Sequence, residues 1–348
     1  YASLATVLAN STADLSDDEK VLVQLQFLFA QMRMNSLLAL DTGGFCGVFK
    51  DYSGEAISIF EQKDINEFAG MLFDKLENSV RLPMKDEAGV ESVSSPVLSL
   101  LSGVFGGKIC CSIRSTVSDY RSSASESFYM LSCEVKGFDT LDESLASFSQ
   151  AEKLEGEESV EDNDGVKVEA VRRYSIGKLP NTMIIHLKRF EFVLATMSRK
   201  KVNDKLSFPI QLNMYRYTTA ALEGSEVVGD SMGVGDCEYR LRGVVLHAGA
   251  IDRGHYYSFV QEREAPYHWY KFNDSRVSLF EEESIPDACF GGFYDAKDGS
   301  TGTSTGTDKP PDMKIENAYM LFYEKVEKET IAESRSELTM CPILWGCL

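Results

Sequence analysis

The sequence predicts an α+β protein. Helical periodicity is confined to roughly its first hundred residues, and runs rich in β-branched and aromatic residues dominate the remainder. Helices first and strands afterwards is the pattern of segregated elements, not of alternating βαβ units.

The first helix is predicted in "SDDEKVLVQLQFLFAQM". Ser16 followed by Glu19 has the spacing of a capping box, and Leu22, Leu25, Phe29 and Met32 recur at helical intervals. A second helix fits "DINEFAGMLFDKL", with Asp64 and Glu67 in its first turn and Ile65, Phe68, Leu72 and Leu76 as its apolar stripe. From about residue 98 strands are expected. The strand candidates are Met183–Phe192, Tyr239–Gly249, "HYYSFVQ", "WYKFND" and "NAYMLFYEKV". Three segments read as surface loops: acidic Glu152–Asp164, Gly- and acid-rich Ala220–Asp236, and low-complexity Asp298–Asp312. The expected division is a helical part over 1–97, a β-rich part over 98–326 within the same domain, and a tail over 327–348.

With 348 residues, 43% of them hydrophobic, the chain can bury a large core. It opens on Tyr1, which suggests a piece of a longer protein. The net charge of −19 argues against nucleic acid, whose binding needs clustered Lys and Arg, and suits a basic partner. Eight scattered cysteines read as reduced thiols of a cytoplasmic or nuclear protein. No C-x-x-C pair offers a zinc ribbon, so neither metal nor cofactor is expected. No apolar run of about 18 residues is present, so no membrane partner is expected.

The stretch "GHYYSFVQEREAPYHWYKFND" carries the chemistry. Taken as an antiparallel hairpin with its tip at Glu264, it pairs His255 with Asn273, Tyr257 with Lys271 and Phe259 with Trp269. A carboxamide then holds one imidazole nitrogen, fixing tautomer and orientation, while the other nitrogen is available to deprotonate a thiol. Gly254, with no Cβ, allows close approach of a substrate to the backbone. The competing reading is a strand histidine satisfied in a core, and local sequence does not separate the two. His247, His186 and His268 read as structural.

"LPNTMIIHLKRFEF", "KVNDKLSFPIQLNM", "LRGVVLHAGAIDRGHYYSFV", "WYKFNDSRVSLF" and "NAYMLFYEK" occur in this order, and together they resemble the ubiquitin-specific protease family of cysteine isopeptidases. "EQKDINEF" is similar to that family's Gln-Gln-Asp-Ala-x-Glu-Phe element, and "ACFGGFYDAK" resembles the very large fat-facets-like members. The resemblance implies a papain-like fold with helical thumb and β-rich palm and fingers, and ubiquitin or ubiquitinated proteins as partners. It implies His255 as general base, Asn273 as the residue that orients it and Asp274 as a supporting acid. It further implies that Asp64 and Glu67 receive arginines of the ubiquitin tail. Gly254 and Tyr256 would line the channel for the terminal Gly-Gly, and His247 would flank it. The pair Asp64 and Glu67 also has the spacing of a capping box, a purely structural role.

The family's nucleophile sits in a Gly-x-x-Asn-x-Cys-Tyr-x-Asn-Ser-like box that is not found here. "MRMNSLLAL" mimics its second half but places Met32 where the cysteine belongs. Cys46, in "GGFCGVF", reads as a small buried hydrophobe. Only Cys110 and Cys111 lie near the position of the first zinc-binding pair of many relatives, too few for a tetrahedral site. The expectation is therefore a deubiquitinating cysteine protease domain whose nucleophile lies upstream, leaving this chain inactive. The alternative is a non-catalytic ubiquitin-binding module.

Overall fold

A computed structural model describes residues 14–34, 39–57, 63–79, 96–223, 236–251, 253–294 and 313–326. Among the described residues four helices come first: α1 (Asp17–Met34), α2 (Gly43–Val48), α3 (Ile65–Asn78) and α4 (Pro96–Val104). The α4 helix crosses the point near 98 where strands were expected, and the first strand begins at Gly107. The Ser16–Glu19 capping box forms: the Glu19 carboxylate accepts from the Ser16 amide at 2.7 Å and the Ser16 hydroxyl accepts from the Glu19 amide at 3.3 Å. The predicted α1 stripe does not become a buried face. Val21 is the buried residue, packed with Phe49 and Met71, whereas Phe29 and Met32 are exposed. The helix meets α2 and α3 through its N-terminal half, so the far end of the stripe has no packing partner in that cluster. In α3 the predicted apolar face does pack, with Leu76 and additionally Met71 buried.

The strands are β1 (Gly107–Ser115), β2 (Arg121–Phe128), β3 (Met130–Glu134), β4 (Glu152–Leu154), β5 (Val160–Glu161), β6 (Lys167–Val168), β7 (Ala170–Lys178), β8 (Thr182–Lys188), β9 (Phe190–Val193), β10 (Ser198–Lys201), β11 (Gln211–Asn213), β12 (Glu238–Ala250), β13 (Arg253–Gln261), β14 (Trp269–Asn273), β15 (Arg276–Phe280) and β16 (Glu316–Lys325). Three short helices intervene, α5 (Leu141–Phe148), α6 (Thr219–Glu223) and α7 (Ile285–Cys289). The central sheet runs β15-β14-β13-β12-β16-β8-β3, with β11 added beside β12, and only the β3–β8 pair is parallel. A second sheet runs β2-β1-β7-β4 and carries Cys110 and Cys111 on β1, held by backbone pairing. The main core lies on one face of the central sheet and includes Leu141, Leu145, Val244, Leu246, Phe259 and Trp269.

Three further expectations change. The acidic segment Glu152–Asp164 is not all loop: it supplies β4 and β5, and Asp162 closes the turn into β6 by accepting from the Val166 amide at 3.0 Å. The run Met183–Phe192 is two strands broken at Arg189, whose side chain is fully buried. Its guanidinium donates to the carbonyls of Ala318 (2.6 Å), Val202 (3.0 Å), Asp204 (3.0 Å) and Phe290 (3.3 Å). A buried charge this well bonded is tolerated, and burial pushes its pKa down to about 10. Cys46 is half-buried on α2, outside the neighbouring apolar cluster, where its thiol meets the Thr42 hydroxyl at 3.9 Å. Among the described residues no helix is long and apolar enough to cross a membrane, and no three His, Cys, Asp or Glu side chains gather as metal ligands. The segments 224–235, 295–312 and 327–348, which hold most of the second predicted loop, the third and the tail, lie outside the described residues, as does the central part of "MRMNSLLAL".

Candidate active site

His255 lies near the start of β13, directly opposite Ala248 of β12. Its Nε2 is 2.6 Å from Asn273 Oδ1 and 3.8 Å from Asp274 Oδ2. An oxygen acceptor requires the proton on Nε2, which leaves the Nδ1 lone pair to serve as a base. The side chain is 44% exposed, so a ligand can reach it. Asn273 ends β14, and Asp274 turns the chain into β15 with φ at 51°, a left-handed conformation that aspartate tolerates.

The register differs from the predicted one. Phe259 faces Lys271 rather than Trp269, and the tip is centred on Ala265, where Glu262 and His268 close the hairpin by a 2.9 Å backbone bond. The offset is two residues, an even number, so every side chain keeps its face. Asn273 therefore still reaches His255, diagonally rather than directly across. Lys271 reaches Tyr257 in the same diagonal way, its ammonium 4.2 Å from the ring centroid.

The next residue, Tyr256, projects from the opposite face of the sheet, because consecutive side chains alternate. There it joins His247, its direct cross-strand partner. Phe190 stands 5.0 Å from His247, Tyr319 stands 5.0 Å from Phe190, and His186 packs 4.9 Å from Tyr319, all between ring centroids. His247 is fully buried behind Tyr256 instead of lying along an open channel. Gly254 is needed for that packing: a Cβ there would come within 2.1 Å of His247 Nε2. Burial lowers the pKa of both His186 and His247 to about 4, and the neighbouring Lys201 ammonium adds to the effect at His247. His186 and His247 are both buried, which fits the structural reading and leaves His247 away from the channel edge that the resemblance implied; His268 is exposed at the hairpin.

The helical part meets this aromatic face through Asp64. Its carboxylate caps α3 by accepting from the Asn66 amide at 2.7 Å, and both oxygens accept from the Tyr319 hydroxyl, at 2.9 and 2.7 Å. The reciprocal capping box with Glu67 does not form, and Glu67 is exposed. Tyr319 reaches Asp64 because it is an extra residue in its strand: Val245 faces Met320 and Leu246 faces Ala318, leaving Tyr319 unpaired in a β-bulge. A groove of about 290 Å³ opens beside this junction, lined by Asp64, Glu67, Glu191, Arg199, Ile251 and Tyr256 among others. A larger hollow of about 630 Å³ opens beside the start of α5, lined by Leu141, Phe208 and Arg216 among others. It contains no imidazole or thiol, and its one carboxylate, Asp142, is bonded to Tyr217 and Arg216.

Among the described residues no thiol is hydrogen-bonded to His255. Cys133 and Cys289 are buried, which pushes both thiols up, Cys133 to about 12. An exposed imidazole oriented by a carboxamide is the basic half of a cysteine-protease site.

Comparison with known proteins decides the family. A family model described as "Ubiquitin carboxyl-terminal hydrolase" matches residues 2–323. This chain belongs to the ubiquitin carboxyl-terminal hydrolase family. It is 33% identical over 338 residues to "Ubiquitin carboxyl-terminal hydrolase 34" of Mus musculus, covering 91% of this chain and 9% of that protein. It is 30% identical over 355 residues to "Ubiquitin carboxyl-terminal hydrolase puf" of Drosophila melanogaster, covering 92% and 9%. With "Probable ubiquitin carboxyl-terminal hydrolase FAF" of the same organism the identity is 30% over 348 residues, covering 92% and 12%. The chain thus spans only a small part of the relatives it matches. The fat-facets-like resemblance holds, and the mixed helix and sheet architecture is the papain-like α+β fold of this hydrolase family.

Sequence reasoning missed Tyr319, Phe190 and Lys201. Tyr319 and Phe190 sit in runs already read as strands, but nothing in those runs indicates which face they occupy. Lys201 ends "SRKK", which reads as a solvated charge cluster.

Proposed function

We propose that this domain hydrolyses the amide or isopeptide bond that follows the C-terminal glycine of ubiquitin. The observation that carries the reading is the 2.6 Å contact between His255 and Asn273 on an imidazole that is 44% exposed. In the proposed reaction His255 Nδ1 takes the thiol proton and the thiolate attacks the glycine carbonyl. The imidazolium then returns a proton to the leaving amine, and water cleaves the thioester with His255 again as base. Asn273 holds the productive tautomer, and Asp274 lends negative charge to the imidazolium from 3.8 Å. Glu67 offers an exposed carboxylate to the arginines of the ubiquitin tail, while Asp64, whose oxygens already accept from Tyr319 and Asn66, shapes that end of the groove. We place the activity in the cytoplasm or nucleus, where the six described cysteines, all unbridged, stay reduced.

The nucleophile, in this proposal, is supplied by sequence outside these 348 residues. The test compares this chain with a longer one on ubiquitin bearing a fluorogenic C-terminal amide. The expected result is no turnover by this chain and turnover by the longer one that H255A abolishes. Turnover by this chain that vanishes in C46A would assign the thiol to Cys46. Ubiquitin binding without turnover in both chains would favour a non-catalytic module, a reading that draws on the absence of a thiol at His255 among the described residues.

A further inference from the structure

Lys201 ends β10, and its half-buried ammonium points into the place where β12 and β16 part. It donates to three backbone carbonyls: His247 at 2.9 Å, Gly249 at 3.2 Å and Ile315 at 2.6 Å. Three donors on one ammonium match three acceptors, so the whole hydrogen-bonding capacity of the group is used. Ile315 O also accepts from the Gly249 amide at 3.1 Å, the last bond between the two strands. The ammonium therefore replaces the ladder bonds that β12 and β16 lose as they separate.

The two β12 carbonyls are significant for their position. His247 and Gly249 flank Ala248, the residue directly opposite His255. On its other side Lys201 belongs to the β9–β10 hairpin, in which it pairs with Phe190. Phe190, Glu191 and Phe192 of β9, with Arg199 of β10, form one wall of the groove. One side chain thus joins the groove wall to β12, the strand paired with the one that bears the imidazole. Burial lowers the lysine pKa to about 7, with nearby Arg189 acting in the same direction and Glu316 opposing. Burying a cation here carries a desolvation cost, which the three carbonyl acceptors offset.

We propose that Lys201 is a positioning residue for His255: by fixing the carbonyls on either side of Ala248 it sets the imidazole relative to the β9–β10 wall. The proposal rests on the reading of His255 as the base.

The test uses this chain labelled with 15N-histidine, whose four histidines give a simple spectrum, with the His255 signal assigned from H255Q. In the wild type, the bond to Asn273 slows exchange of the His255 Nε2 proton with water. K201M is expected to speed that exchange about tenfold while the far-UV spectrum and cooperative melting are retained, and K201R is expected to restore part of the protection. Exchange in a folded K201M within about twofold of wild type would overturn the proposal. A second measurement needs no variant: the Lys201 ammonium nitrogen must show hydrogen-bond scalar couplings to the carbonyl carbons of His247 and Gly249, and their absence would overturn the proposal even if K201M does not fold. N273A separates the two levels of the argument. If N273A abolishes protection and K201M does not, the lysine proposal fails and the functional reading stands. If K201M abolishes protection and N273A does not, the reading of Asn273 as the orienting residue fails.

Discussion

The hydroxyl of Tyr319 spans both carboxylate oxygens of Asp64, at 2.9 and 2.7 Å, and so joins the central sheet to the first turn of α3. Tyr319 is buried, so its hydroxyl has no ready substitute partner. Y319F keeps the ring contacts with His186, Phe190 and Tyr256 but removes the donor. It is expected to cost about 1–3 kcal/mol, the range for breaking a buried bond to a charged group. Urea unfolding measures this; a midpoint equal to wild type would mean that water or a rotated side chain takes over the carboxylate.

At Gly254 the expectation is steric. A methyl group added there would approach His247 Nε2 to 2.1 Å, which leaves no room for a side chain unless the imidazole tilts away. G254A should lose about 1–3 kcal/mol of stability, the usual cost of overpacking. It should also displace Tyr256, which packs 4.9 Å from His247. Calorimetry and the near-UV tyrosine signal test this together, and an unchanged melting temperature would contradict it.

Glu67 and Asp64 should behave differently although both lie at one end of the groove. E67Q removes an exposed charge with no capping role and is expected to weaken ubiquitin binding about tenfold with little change in stability. D64N instead weakens the acceptor for Tyr319 and should appear first in unfolding experiments. Equal losses of affinity without loss of stability in both variants would refute this division of roles.

Acid should destabilise the fold through its buried imidazoles. His186 and His247 have folded-state pKa values of about 4, against 6.5 for the free side chain. As pH falls through 6.5 the unfolded chain takes up protons that the folded chain refuses, so stability is complete above that value and declines towards pH 4. Full expression of the shift would remove about 3 kcal/mol per histidine. Urea midpoints at about pH 7 and about pH 5 measure the trend, and both imidazoles should keep neutral NMR shifts at the lower value. Protonation of either ring in the folded chain at about pH 5 would contradict the prediction.

Much of this site was legible because it depends on parity and local spacing. The Ser16–Glu19 box needs only a three-residue interval, and it formed. His255 and Asn273 met despite a misplaced hairpin tip, since a two-residue error leaves side chains on the same face. What stayed hidden depends on contacts distant in sequence. The bulge that frees Tyr319 exists only in the pairing of β16 with β12, and its partner Asp64 lies more than two hundred residues away. Arg189 broke a predicted strand because four carbonyls from separate segments converge on it, an arrangement without a local signature. The stripe on α1 was read correctly as apolar, but periodicity identifies a face without saying whether that face is covered. For Asp64 and Glu67, a spacing shared by a cap and a ligand-binding pair concealed that one carboxylate is engaged and the other exposed.

The alternation along β13 has an evolutionary corollary. Position 255 and position 256 are one peptide bond apart yet look to opposite sides of the sheet. If His255 is the base proposed above, selection can erase turnover by changing the first while the surface shaped by the second persists, and on that reading a working hydrolase and a silent receptor built on this scaffold are separated by a single codon.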